Sequence, residues 1–322
     1  MTSYRAITAF VCLLLCAMLS ACAAPELSAT GPSVSTTRLD GDYYVTGDGQ
    51  RLRTSVWPAK SPRAVFVAVH GFNEYAGDFR LPAPWFTRYG ISVYGYDQRG
   101  FGRTSKPRAG RWYGGDVMAR DLARYVNLIR ERHAGLPVFV LATSMGGAVT
   151  MKAAVDNDLQ ADGVILVAPA IWGWKSMNPI LKSALWVTAH TVPASSASGS
   201  PVDIWPSDNI EWLREYSRDP HNIKGSRFDT LYGLVTLMDE AAAAAPAIKV
   251  PVLYLYGLKD EVVPADPSKQ VMATLPPSAR SIVYEKGYHM LLHDKQRETV
   301  YRDILQWIDD QPVTIPVSQR LR

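Results

Sequence analysis

Beyond residue 22 the chain holds no cysteine: its three, Cys12, Cys16 and Cys22, all lie near the start. That excludes disulfide staples, thiolate metal centres and a cysteine nucleophile from everything downstream. Histidine is scarce, with six in 322 residues, so imidazole chemistry has few candidates. Neither sign of charge dominates. The 34 Lys and Arg against 30 Asp and Glu are scattered rather than striped, and nucleic-acid binding has no support. One long apolar run exists, residues 6–19, and it is too short to span a bilayer comfortably. No internal repeat is visible. What remains is a chain with 47% hydrophobic residues, long enough for one large domain or a domain with an insertion.

Arg5 before the apolar run and Leu19-Ser20-Ala21-Cys22 after it resemble a bacterial lipoprotein signal with its cleavage box. The resemblance implies removal of residues 1–21 and lipid chains on Cys22, hence a membrane partner in a bacterial cell envelope. Ala23 then implies sorting to the outer membrane, facing the periplasm. The competing reading is a plain secretory signal cut near Ala24. Residues 22–39 are rich in Ala, Pro, Ser, Thr and Gly without an apolar period, which predicts a flexible tether.

The body, residues 40–310, alternates apolar strands with amphipathic helices. Strands are expected at 52–57, 64–69, 91–96, 138–142, 164–168, 252–256 and 281–285, and helices at 116–133 and 295–308. Such alternation predicts an α/β fold, a mostly parallel central sheet with helices on both faces. Residues 171–248 break the pattern with Trp172, Trp174, Trp186, Trp205 and Trp212, a Ser/Gly piece and an alanine run; they read as a helical cap insertion. Residues 311–322 read as a loose tail.

The chemistry starts at Val138-Phe-Val-Leu-Ala-Thr-Ser144-Met-Gly-Gly-Ala148. A buried strand stops at a small hydroxyl residue and a helix begins, so Ser144 sits at the apex of a sharp turn. The helix N-terminus offers unpaired N–H groups where an oxyanion would form. The usual pattern is G-x-S-x-G, and Ala142 departs from it at the first position. Asp260 follows one late strand and His289 the next, and catalysts in such sheets gather at C-terminal strand ends. Serine needs a base to take its proton, and the base needs an acid to fix its tautomer. Glu261 and Asp266 compete with Asp260, whose strand-end position favours it. His289 and His293 could pair as metal ligands, yet no third ligand accompanies them; no metal and no cofactor are expected. Asp97 with Arg99 reads as a structural ion pair or loop anchor, and His70 as the residue that orients the loop after its strand. His133, His190 and His221 carry no partner pattern.

The order Ser…Asp…His is that of the α/β-hydrolases. Residues 40–310 resemble the monoacylglycerol lipase and lysophospholipase-like group, also labelled serine aminopeptidase S33-like. The matching residues are His70-Gly71, Asp97-Gln-Arg99-Gly100-Phe-Gly102, Ser144-Met-Gly-Gly, Gly257-Leu-Lys-Asp260 and Gly287-Tyr-His289. The resemblance implies the α/β-hydrolase fold and a catalytic triad of Ser144, Asp260 and His289. It also implies an oxyanion hole made by the backbone N–H groups of Phe72 and Met145, and small ester or lysolipid substrates. Two alternatives stay open: a serine aminopeptidase with the same triad, and a non-catalytic lipid- or protein-binding lipoprotein.

Overall fold

In the computed structural model the apolar runs lie side by side as strands. It describes residues 25–33, 35–104, 108–198 and 204–311; the expected signal segment, Cys22 and the expected tail from residue 312 lie outside these. A nine-stranded sheet runs in the order β1-β2-β3-β5-β4-β6-β7-β10-β11. The first three, β1 (Arg38–Asp40), β2 (Tyr43–Val45) and β3 (Arg51–Trp57), form an antiparallel edge. The other six are mutually parallel: β4 (Ala64–Val69), β5 (Ile91–Tyr96), β6 (Val138–Thr143), β7 (Gly163–Val167), β10 (Val252–Gly257) and β11 (Arg280–Tyr284).

Strand β4 shows why the parallel strands read as unbroken apolar runs. Successive side chains point to opposite faces. Val65, Val67 and Val69 enter one core, with helices α2 (Gly115–Arg132) and α3 (Ser144–Asp156). Ala64, Phe66 and Ala68 enter the other, with α1 (Pro82–Arg88) and α8 (Arg297–Asp309). Both faces are covered, so no position can be polar. The chain leaving β4 goes to one face and the chain leaving β6 to the other. Their C-terminal ends therefore open a crevice, the switch point where such sheets bind ligands.

Between β7 and β10 come α4 (Pro179–Thr191), β8 (Ser196–Ser198), α5 (Ile210–Arg218), β9 (Gly225–Arg227) and α6 (Phe228–Ala244), followed later by α7 (Ala265–Thr274). Strands β8 and β9 form a separate small antiparallel pair. Although α6 falls within residues 171–248, its Leu234, Leu237 and Ala241 belong to the same core as α2 and α3. By packing it joins the body, and the rest of the segment between β7 and β10 holds α4, α5 and the β8–β9 pair.

Residues 25–33 and 35–37 of the expected tether lie along the body. Ser28 N donates to Trp112 O (2.7 Å) and Ser35 N to Gly47 O (3.0 Å). Glu26 bridges Arg111 of the body (3.0 Å) and Arg227 at the start of α6 (2.9 Å). These partners are loop backbone and side-chain groups, which leave no period in the sequence.

Candidate active site

The turn after β6 has the strain expected of it. Ser144 adopts φ +46°, a left-handed conformation uncommon for a residue with a side chain, at a cost of about 1–3 kcal/mol. Neighbouring structure holds it there. Ala170 N donates to Ser144 O (2.9 Å). A Cβ on Gly146 would stand 2.3 Å from the Val69 carbonyl oxygen and 2.7 Å from that of His70, so only glycine lets α3 approach β4 this closely. Ala142 is fully buried in the strand core, and the elbow forms around its methyl group. Met145 is buried in the first turn of α3, where backbone N–H groups have no partner within the helix.

Two strands along the same edge, Asp260 and His289 meet. Asp260 Oδ2 lies 2.8 Å from His289 Nδ1, while Oδ1 accepts from the N–H groups of Val262 (2.8 Å) and Val263 (2.9 Å). A carboxylate can only accept, so Nδ1 carries the ring proton and Nε2 is free to act as a base. Burial opposes a charged imidazole, but the charge and hydrogen bond of Asp260 outweigh it, with help from Glu74 and Asp294. The net effect raises His289 above the ordinary histidine value. The pair forms because the loops after β10 and β11 touch backbone to backbone: a Cβ on Gly257 would stand 2.4 Å from Gly287 O. Asp294 accepts from Tyr288 N (2.8 Å) and from Ser207 Oγ (2.6 Å), tying the histidine loop to the stretch just before α5.

The loop after β4 is fixed by His70. Gln98 N donates to its Nε2 (2.9 Å), so the ring proton sits on Nδ1 and is donated to Gly71 O (2.8 Å). Complete burial pushes His70 down to about 4 and keeps it neutral, which suits an orienting residue and not a base. Glu74 accepts from Gly71 N (2.7 Å). Burial, then the neighbouring Asp78, pushes the Glu74 carboxyl up to about 8. Phe72 is half-buried, its ring edge-on to Phe101 at 5.5 Å.

Asp97 and Arg99 anchor loops, but not as a pair with each other. Arg99 binds Asp121 (2.5 Å) and Asp48 (2.8 Å), whereas Asp97 binds Arg103 (2.9 Å) and Ala76 N (3.1 Å). His293 donates from Nε2 to Asp78 O (3.0 Å) and stacks on Trp212 at 4.2 Å. His133 meets Tyr94 OH, His190 stacks on Trp186, and His221 pairs with Asp219. Among the described residues, no three His, Cys, Asp or Glu side chains stand together as a metal site requires.

The structure thus brings Asp260 and His289 into contact, and it puts Ser144, Met145 and Phe72 at the same sheet edge. Cys22 lies outside the described residues. Glu74 was not singled out from the sequence; its signal is a carboxylate three residues after the turn glycine Gly71.

A switch-point crevice, a strained serine elbow and a carboxylate-held histidine on a doubly covered parallel sheet define an α/β-hydrolase. Within that class, residues 60–296 match the family described as serine aminopeptidase, S33, and the chain belongs to it. It is 27% identical over 295 residues to the monoacylglycerol lipase of Mycolicibacterium smegmatis, covering 85% of this chain and 98% of that one. It is 28% identical over 279 residues to the monoglyceride lipase of Rattus norvegicus, covering 84% and 90%. Among solved structures, a soluble variant of monoglyceride lipase from Saccharomyces cerevisiae in complex with a substrate analog superposes with a TM-score of 0.72 at 20% identity, covering 88% and 99%. The monoacylglycerol lipase of Paleococcus ferrophilus gives 0.67 at 22%, covering 81% and 99%.

Proposed function

We propose that the chain hydrolyses carboxylic esters of lipid-like substrates, monoacylglycerol or lysophospholipid, through Ser144, His289 and Asp260. The observation that carries this is the Asp260–His289 hydrogen bond, on the sheet edge where a left-handed serine ends β6. As a carboxylic ester hydrolase the chain agrees with relatives named monoacylglycerol and monoglyceride lipases. His289 Nε2 takes the Ser144 proton as Oγ attacks the ester carbonyl, and the N–H groups of Met145 and Phe72 receive the oxyanion. The imidazolium then protonates the departing alcohol, leaving an acyl-serine. Water, deprotonated by the same imidazole, releases the acid. Asp260 holds the ring in place and stabilises the imidazolium. Aromatic and aliphatic side chains of the cap region suit an acyl chain, whose burial is worth about 0.8 kcal/mol per methylene.

The Leu19–Cys22 box and Ala23 support lipidation of Cys22 and residence in the outer membrane, facing the periplasm. The catalytic reading is tested by Ser144→Ala, which abolishes hydrolysis of a short p-nitrophenyl ester while the fold survives; retained turnover refutes it. A panel of monoacylglycerols, lysophospholipids and aminoacyl amides fixes the substrate class. Faster turnover of the amides would replace esterase with aminopeptidase.

A further inference from the structure

After β4 the chain runs Gly71-Phe72-Asn73-Glu74 and turns sharply. Glu74 N donates back to Gly71 O (3.4 Å), and of the two central residues only Asn73 has a positive φ, +63°. That is the pattern of a type II turn, whose third residue is glycine or asparagine because most side chains are strained there. Glycine would take the conformation more easily. Asparagine brings a side chain, and here the side chain crosses to another part of the fold.

Asn73 Nδ2 donates to Ser226 Oγ (2.8 Å), 153 residues along the chain in the middle of β9. Ile223 N donates to Asn73 O (2.9 Å), and next to the turn Tyr75 OH donates to Asp219 Oδ2 (2.8 Å). The turn after β4 is thus tied at three points to residues 219–226. Strand β9 is a firm attachment: Ser226 stands opposite Ala197 of β8, and Arg227 beside it bonds Asp229 and Glu26. Within the turn, Gly71 N is taken by the Glu74 carboxylate and Glu74 N by Gly71 O. Among the described residues the N–H groups of Phe72 and Asn73 have no hydrogen-bond partner. A donor held in place and left open is what a developing oxyanion requires.

We propose that Asn73 is a positioning residue for the hydrolysis, clasped by Ser226 so that the segment between β7 and β10 sets where the Phe72 N–H points. This rests on the hydrolase reading above. The ester carbonyl oxygen gains charge only as Ser144 Oγ bonds its carbon, so the clasp acts on the transition state and scarcely on substrate binding. With the Asn73–Ser226 bond cut, the turn keeps its backbone shape but swings about the end of β4, and the Phe72 N–H moves with it.

Asn73→Gly removes the clasp and keeps the turn, because glycine adopts the positive φ without strain. Ser226→Ala removes it from the other side. With a p-nitrophenyl ester each variant lowers kcat about tenfold or more and leaves KM within about twofold of wild type. An alkylboronic acid, which adds to the serine oxygen as a tetrahedral anion, reads the oxyanion site: its affinity falls by the same factor as kcat/KM. A merely structural role would not move those two quantities together. The double variant loses no more than either single one, since there is one bond to lose. Ser226→Thr, which keeps the hydroxyl, recovers most of the rate. Unchanged kcat in Asn73→Gly overturns the proposal, and so does a lowered kcat with unchanged boronate affinity; both leave the hydrolase reading standing. A wild-type chain that neither turns over the ester nor binds the boronate refutes that reading, and the role of the clasp falls with it.

Discussion

Asp260 holds His289 by one oxygen and is itself held by the other: Oδ2 is 2.8 Å from the ring Nδ1, and Oδ1 accepts from Val262 N and Val263 N. The histidine's tautomer thus depends on a group that cannot rotate. Asp260→Asn keeps the size and one acceptor but offers a donor where Nδ1–H needs an acceptor. The ring turns to the wrong tautomer. The expected loss in kcat is about four orders of magnitude, with little change in melting temperature. Steady-state kinetics alongside thermal unfolding checks it, and a loss under tenfold would remove Asp260 from its role.

The raised pKa of His289 sets a pH profile. Catalysis needs the neutral imidazole, so kcat/KM climbs with pH through a midpoint above the ordinary 6.5 of histidine. Stability runs the other way. The Asp260 interaction favours the protonated ring in the folded state, so its contribution is complete below the unfolded pKa and is lost as pH rises through the raised value. Glu74 adds a charge beside His289 only where it is ionised, and burial pushes its carboxyl up to about 8. Along the acid limb it is therefore largely neutral, and Glu74→Gln, which keeps an acceptor for Gly71 N, leaves that limb in place. A limb displaced to lower pH would show that Glu74 is ionised there and contradict this reading.

Gly146 and Ala142 flank the same serine with opposite tolerance. A Cβ at Gly146 meets two carbonyl oxygens, Val69 O at 2.3 Å and His70 O at 2.7 Å, and neither can swing away as a side chain would. Gly146→Ala should push α3 off β4, lowering stability by about 3 kcal/mol or more and removing activity. Ala142→Gly restores the commoner glycine but removes a buried methyl group and loosens a strand. It should cost about 1–2 kcal/mol while activity per folded molecule persists. Denaturant midpoints and specific activity of the two variants decide this; equal tolerance would mean the elbow is not held by close approach.

Much of this was legible in the sequence because burial on both faces of a parallel sheet leaves unbroken apolar runs. Strands β4 and β5 fall where the pattern puts them, and Ser144 and Asp260 are marked by following such runs, while His289 follows the mostly exposed edge strand β11. Partners fixed by tertiary structure left no local mark. Arg99 stands two residues from Asp97 but bonds Asp121 and Asp48, far along the chain. Strands β1 and β2 are three residues each, with Arg38 and Asp40 among them, too short and polar to show a period. Helix α6 reads as part of an insertion by its position, and only its contacts with α2 and α3 place it in the body.

His293 gives a prediction about acid stability that its neighbour His289 does not share. It is buried, donates to Asp78 O and stacks on Trp212, and burial, then Arg80 and Arg297, pushes it down to about 4. A depressed pKa means the unfolded chain takes the proton first. The contribution is complete above about 6.5 and is lost as pH falls toward 4. His70 behaves alike. Asp78 and Asp294, both pushed up to about 6, act in the opposite sense, so the wild-type curve is a partial cancellation. The difference between wild type and His293→Gln isolates the one group. Losing the ring stack shifts the variant's stability by a constant at every pH. Losing the titration changes the slope by up to about 1.4 kcal/mol per pH unit between those two limits. Urea unfolding at half-unit pH steps measures both, and parallel curves would show that His293 does not titrate in this window.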